Sequence, residues 1–227
     1  MLPASLLPLL LHAGPSLPAP HAPVLLQEEA AVATGAVPSR PSYDYLELGY
    51  DRADFDGLAD LTEDRIQLTG SFEFSEHGFA LLVLEHGDGE VDGAPPATDP
   101  VLDRRTTHLS AGIGGRFSLA SGLDAYGAVR MATNQVENEV AEDEDYETLH
   151  LRLGLRYLVM ERLELAAYFE HANAFGVESA PDVNTVQLLG RMYLLEDFSL
   201  GITWQQDDAA GSDRDARTLG VRLGYFF

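Results

Sequence analysis

Leu149, Leu151, Leu153, Leu155 and Tyr157 stand at alternate positions, with His150, Arg152, Gly154 and Arg156 between them. A period of two describes an extended strand with one apolar face and one polar or small face. The same period recurs along the chain and predicts ten strands, over residues 43–51, 65–74, 79–86, 108–117, 123–131, 149–157, 163–170, 185–194, 198–205 and 218–227. The third of these is apolar on both faces for five residues, which leaves its register open. Short turns at 75–78, 120–122, 160–162 and 196–197 alternate with long polar loops at 52–64, 87–105, 133–146, 173–184 and 206–217. Short connections on one rim and long ones on the other fit an antiparallel up-and-down barrel that crosses a membrane. Soluble Greek-key sandwiches mix their connection lengths instead. The expected fold is therefore all-β, a single transmembrane β-barrel of ten strands, or of eight if one hairpin is merged.

Composition limits the alternatives. The chain has 227 residues, no Cys, and a net charge of −23. Without Cys there is neither a disulfide framework nor a thiolate metal site. The acidic balance argues against nucleic acid as a partner, because phosphate binding needs clustered cations. No run of eighteen apolar residues occurs, so no helical span is expected. Residues 1–26 contain no Asp, Glu, Lys or Arg, and Leu6, Leu7, Leu9, Leu10 and Leu11 resemble the apolar core of a secretory signal. The positive start is missing and Pro3 and Pro8 interrupt the run, so a Pro-rich flexible leader is the other reading. Residues 1–40 are assigned to this leader and 41–227 to the barrel.

The two strand faces differ in kind. Opposite the apolar stripe the alternation places Arg65, Arg116, Arg130, Arg152, Arg156, Arg191 and Arg222 with Glu47, Glu73, Asp124, Glu164 and Glu170. These mid-strand charges predict a charge-paired lumen, since buried charges persist when paired and hydrogen-bonded. The chain uses Arg and no Lys, and the planar guanidinium binds carboxylates bidentately. The competing picture is a soluble lipocalin-like barrel with these charges in water and the leucines inside. Tyr50, Phe72, Phe74, Phe79, Phe117, Tyr157, Phe169, Phe198, Trp204, Tyr225 and Phe227 fall on the expected lipid face, many near strand ends, as interfacial girdles do.

Residues 42–50 (Ser42 to Tyr50), Thr69-Gly70-Ser71-Phe72, Ser110-Ala111-Gly112-Ile113-Gly114 and the closing Gly220 to Phe227 resemble the small outer-membrane β-barrel proteins of Gram-negative bacteria. The likeness is to the opacity-porin-like group and to xanthomonad outer-membrane proteins. It implies that the terminal strand, through Leu219, Val221, Leu223, Tyr225 and Phe227, is the signal read by the barrel-assembly machinery. It also implies periplasmic chaperones, outer-membrane lipid and lipopolysaccharide as partners. No activity and no cofactor come with it.

Candidate chemistry is sparse. Residues 133–146 carry Glu137, Glu139, Glu142, Asp143, Glu144 and Asp145 without a cation, and Asp207, Asp208, Asp213 and Asp215 form a second acidic stretch. Both read as solvated loops, with a divalent-cation bridge to lipopolysaccharide as the functional alternative. His86 with Asp88 is the nearest approach to an outer-membrane protease, and His108 with Ser110 to an esterase. Neither completes a catalytic set, and no enzyme is expected. Two roles remain: a structural or surface-interaction barrel closed by its charged lumen, or a narrow porin in which an Arg excess favours anions.

Overall fold

The computed structural model describes residues 41–55, 60–92, 102–138, 144–175, 182–209 and 215–227. Ten strands follow in order: β1 (Tyr45–Phe55), β2 (Asp60–Ser75), β3 (Gly78–Asp92), β4 (Leu102–Ala120), β5 (Leu123–Asn138), β6 (Glu144–Met160), β7 (Leu163–Phe175), β8 (Val183–Tyr193), β9 (Phe198–Ala209) and β10 (Ala216–Phe226). Each pairs antiparallel with its sequence neighbours, and β1 also pairs with β10, with Tyr45 opposite Phe226. The sheet thus closes on itself and leaves no edge, the condition for spanning lipid with strands. Closure takes ten strands, not eight.

Inside and outside are inverted relative to a soluble protein. Ile113, Leu153 and Ile202 point outward at 65%, 54% and 67% exposure, whereas Glu164 is fully buried and Arg156 is 3% exposed. Leucines left in water would make the barrel aggregate, and carboxylates this deep need partners. The apolar surface therefore faces hydrocarbon. The soluble-barrel alternative, which needs the leucines at the centre, is excluded by these exposures. Leu153 lies mid-strand on this surface, opposite Gly127 and Phe169. A Leu153→Arg variant is expected to lose about 2–4 kcal/mol of folding free energy in lipid vesicles. Denaturant unfolding measures it, and an unchanged midpoint would place this face in water.

Three of the four short connections are two-residue turns, each entered through a register shift at Glu73/Ser75, Ser118/Ala120 or Leu158/Met160. Gly122 closes the β4–β5 turn at φ 75°, where a Cβ would strain the backbone. Phe74, Phe117, Tyr157 and Phe198 lie beside these connections and face outward, which marks one rim of the lipid band.

The structure departs from the expected pattern in three places. The strands run further toward the long-loop rim, for example to Asn138 on β5 and from Glu144 on β6. Beyond the bilayer both strand faces are polar, so the hydrophobic period vanishes although the ladder continues. Phe79, expected on the lipid face, points into the lumen at 1% exposure. It packs there with Tyr43 and Ala128, with Leu81 and Tyr126 against them. The double-sided apolar character of β3 arises because one end of the lumen is itself apolar. Finally Asp207, expected in a solvated loop, lies on β9 and accepts hydrogen bonds from Thr185 (2.5 Å) and Gln205 (3.0 Å). The leader and the acidic residues Glu139, Glu142, Asp143 and Asp213 lie outside the described residues.

Candidate functional site: the charged lumen

Directly paired residues in an antiparallel ladder point to the same face. Arg156 on β6 pairs with Asp124 on β5, and Glu164 on β7 pairs with Arg191 on β8. Glu47 on β1 pairs with Gly224 on β10, one inward position from Arg222. Strand register thus gathers charges from six strands near the short-turn rim. Arg156 donates from Nε and Nη2 to the two oxygens of Glu164, both at 3.0 Å. Arg191 donates from Nη1 to Glu164 Oε1 at 3.2 Å and from Nη2 to Glu47. Arg222 reaches Glu47 Oε1 at 3.7 Å and grips Asp51 bidentately at 2.7 and 2.8 Å. The result is one alternating chain across the lumen: Arg156, Glu164, Arg191, Glu47, Arg222, Asp51. Tyr193 adds a hydroxyl donor to Glu164 at 2.7 Å.

Glycines make room for the guanidiniums. A Cβ on Gly49 or on Gly220 would come within 2.8 Å of Arg222 Nη1, and one on Gly112 within 2.7 Å of Arg130 Cγ. These close approaches are why inward positions beside long arginines are glycine.

A second cluster sits higher. Glu170 accepts from Arg130 Nη2 at 2.8 and 2.7 Å, from Arg152 Nε at 2.5 Å, and pairs with His150 Nδ1 at 2.8 Å. Because the carboxylate only accepts, His150 Nδ1 carries a proton, and Nε2 lies 2.8 Å from the Thr148 hydroxyl. Thr148 in turn takes Asn134 Nδ2 at 3.0 Å, and Asn134 Oδ1 takes His108 Nδ1 at 2.7 Å. At the short-turn rim Arg116 donates to Glu73 at 3.0 Å and to the turn carbonyl of Glu76 at 3.0 Å, and lies 3.9 Å from Asp124. Toward the long-loop rim Arg65 pairs with Glu63 (3.3 Å) and Glu85 (3.7 Å). The structure therefore brings together, inside the barrel, every charged residue that alternation assigned to the lumen.

Four carboxylates escaped the sequence analysis: Asp51, Glu63, Glu85 and Asp207. Asp51 continues the Glu47–Gly49 alternation and was legible. Glu85 ends the double-sided apolar run of the third strand, whose register was open, and Glu63 and Asp207 lie beyond the apolar stripe, where no hydrophobic period flags the inward face. Among the described residues only Arg104, a coulombic neighbour of Glu63, joins them on the cationic side. The Arg excess expected inside, and with it the argument for anion preference, disappears.

The other candidates separate. Ser110 accepts from Arg130 at 2.9 Å, while His108 turns to Asn134, so the two do not pair. His86 and Asp88 are exposed, 3.8 Å apart, with Asp88 also held by Arg105 at 3.4 Å. His171 bonds Asn184 at 3.0 Å. Among the described residues no group of three His, Asp or Glu side chains is placed to hold a metal ion. Leu219, Val221, Leu223, Tyr225 and Phe227 form the outward face of the last strand.

No protein-family model matches the chain, and no curated protein matches it. Solved structures do. The translocator domain of the autotransporter NalP from Neisseria meningitidis is similar at TM-score 0.50 and 9% identity, over 89% of this chain and 95% of that one. The NanC porin is similar at TM-score 0.50 and 8% identity, over 79% of this chain and 100% of that one. At such identity the likeness is one of fold. The chain has the closed antiparallel architecture of outer-membrane β-barrels, with its apolar surface outward.

Proposed function

We propose, from an outer-membrane barrel fold with a charge-filled interior, that the protein works in the outer membrane of a Gram-negative bacterium as a closed barrel with a structural or surface-interaction role. One observation carries this reading. The ion-pair chain from Arg156 to Asp51 crosses the lumen at the short-turn rim, and its members are at most 8% exposed. Guanidiniums locked into two or more short contacts leave no hydrated path between them. Solutes passing on that side would have to break charge-assisted bonds.

Lipid and lipopolysaccharide contact the outer surface in this reading. The exposed acids Glu137, Glu144 and Asp145 face outward from the cell, where a divalent cation can bridge them to anionic headgroups. The terminal strand serves the barrel-assembly machinery after delivery by periplasmic chaperones. The fold alone does not choose this role, since one similar structure is a porin and another a translocator domain. The narrow-porin reading draws on the upper lumen, where Arg152, Glu85 and Arg65 are 24%, 20% and 17% exposed. Planar-bilayer recording of the refolded protein separates the two. Inserted protein is expected to be electrically silent, and a steady open conductance would replace the closed barrel with the porin.

A further inference from the structure

Residues 41–44 precede β1 and belong to no strand, yet Pro41 and Tyr43 are buried. The Tyr43 ring turns back into the lumen at the short-turn rim. It stacks on Phe79 with centroids 5.0 Å apart and lies 6.2 Å from Tyr126. Arg156 sits over its face at 4.4 Å and Arg116 at 5.0 Å. Arg156 also donates from Nη1 to the Ser42 carbonyl at 2.9 Å, and the Asp44 carboxylate accepts from the Glu73 amide at 2.5 Å. These four residues therefore span the mouth and are tied to β2, β3, β4 and β6.

The halves of this mouth are filled differently. On the side of β7, β8, β10 and β1 the wall's own side chains close it, through Glu164, Arg191, Tyr193 and Phe226. Tyr193 and Phe226 pack at 5.1 Å with Arg191 5.4 Å from the Phe226 ring. On the side of β3 to β6 the inward positions around Phe79 include Gly112, Gly114, Ala128 and Gly154 together with Leu81 and Tyr126. Aromatic rings lie over the small residues, Phe79 against Gly114 and Tyr168 with Tyr126 against Gly154, and Arg152 above them is the most exposed of the paired lumen charges. What stands beneath is the Tyr43 ring, carried by a segment outside the ladder.

We propose that residues 41–44 are a strap that shuts the short-turn mouth, with Tyr43 as its plug, and that displacing it opens the barrel to ions. The inference rests on the closed-lumen reading and adds to it that closure is divided. One half is built into the strands, and the other is completed by a removable segment. The attachment is of the kind that can release. Cation–π contacts, one ring stack and two side-chain hydrogen bonds hold the strap, whereas β1 is held by ladders on both sides. Its principal backbone tie is the Phe227 amide donating to the Asp44 carbonyl at 3.4 Å. The Tyr43 hydroxyl is buried without a hydrogen-bond partner among the described residues, so the ring and not the hydroxyl does the sealing.

The experiment is planar-bilayer recording of the full chain and three variants, each shown to be folded by strand circular dichroism. Tyr43→Phe keeps the ring and is expected to be as silent as the unaltered protein. Tyr43→Ala is expected to show discrete openings. A variant with residues 41–44 replaced by Gly-Ser-Gly-Ser, which leaves every strand intact, is expected to open in the same way. Silence of both ring-less variants would overturn the strap while leaving the closed-barrel reading untouched. An unaltered protein that conducts as much as Tyr43→Ala would overturn both. An unaltered protein that conducts, with a larger step in Tyr43→Ala, would end the closed-barrel reading and support the strap.

Discussion

Glu164→Ala is expected to lower the unfolding free energy by about 3–5 kcal/mol, the largest effect of any single charge change in the lumen. Glu164 is fully buried and takes hydrogen bonds from Arg156, Arg191 and Tyr193. Removing it leaves two guanidiniums facing each other without the carboxylate between them. Arg191 keeps Glu47, but among the described residues Arg156 keeps hydrogen-bond and ring contacts to the Ser42 carbonyl and the Tyr43 face, with no carboxylate bonded to it. An unpaired buried charge carries its full desolvation cost, which is why deleting one partner of a buried pair costs more than the pair contributes. Combining Glu164→Leu with Arg156→Leu should therefore recover most of the loss, since charge and countercharge leave together. Denaturant unfolding in vesicles reads both, with the single tryptophan, Trp204, as reporter. A loss under about 1 kcal/mol, typical of exposed ion pairs, would mean that water reaches these groups.

Gly112→Ala is expected to prevent barrel closure. Its Cβ would overlap the Val129 carbonyl oxygen and stand 2.7 Å from Arg130 Cα, both backbone atoms of the neighbouring strand. A side-chain end can swing away, but a ladder cannot move without losing its hydrogen bonds. The cost therefore exceeds the roughly 1–3 kcal/mol of ordinary overpacking. Gly70→Ala is the matched control. Its Cβ would meet only Leu46 Cδ1, at 3.9 Å on the lipid side, and the change should stay within about 0.5 kcal/mol. The heat-modifiable gel shift of a closed barrel should be absent in the first variant and present in the second. A folded Gly112→Ala barrel of ordinary stability would mean that β4 and β5 do not approach this closely.

Much of the architecture was readable because β6 and β10 alternate so cleanly. Leu149 to Tyr157 and Leu219 to Phe227 assign a face to every residue between them, and closure of β10 onto β1 follows from the lack of any edge device. The candidate site was readable for the same reason. Arg152, Arg156 and Glu170 sit mid-strand on the face opposite leucines, and that is where the structure has them. Phe79 was misplaced because Leu81, Leu82, Val83 and Leu84 present apolar atoms to both faces, so no local pattern distinguishes lumen from lipid. Glu63 and Asp207 were missed because a strand outside the bilayer has water on its outer face and polar groups inside. The contrast that marks a strand is then gone, although its hydrogen bonds continue.

By itself, then, the order of residues determined the class of fold and the inward face of the mid-strand charges, while ten strands rather than eight was settled by closure. The first two are properties of the pleat, whose period of two is local. The tertiary structure alone decided that Arg191 of β8 meets Glu47 of β1, that Arg222 takes Asp51, and that Tyr43 enters the mouth to lie under Arg156. Such partnerships depend on the stagger between strands around the closed barrel. Stagger is fixed by how all ten strands pair at once, and no short stretch of sequence contains it.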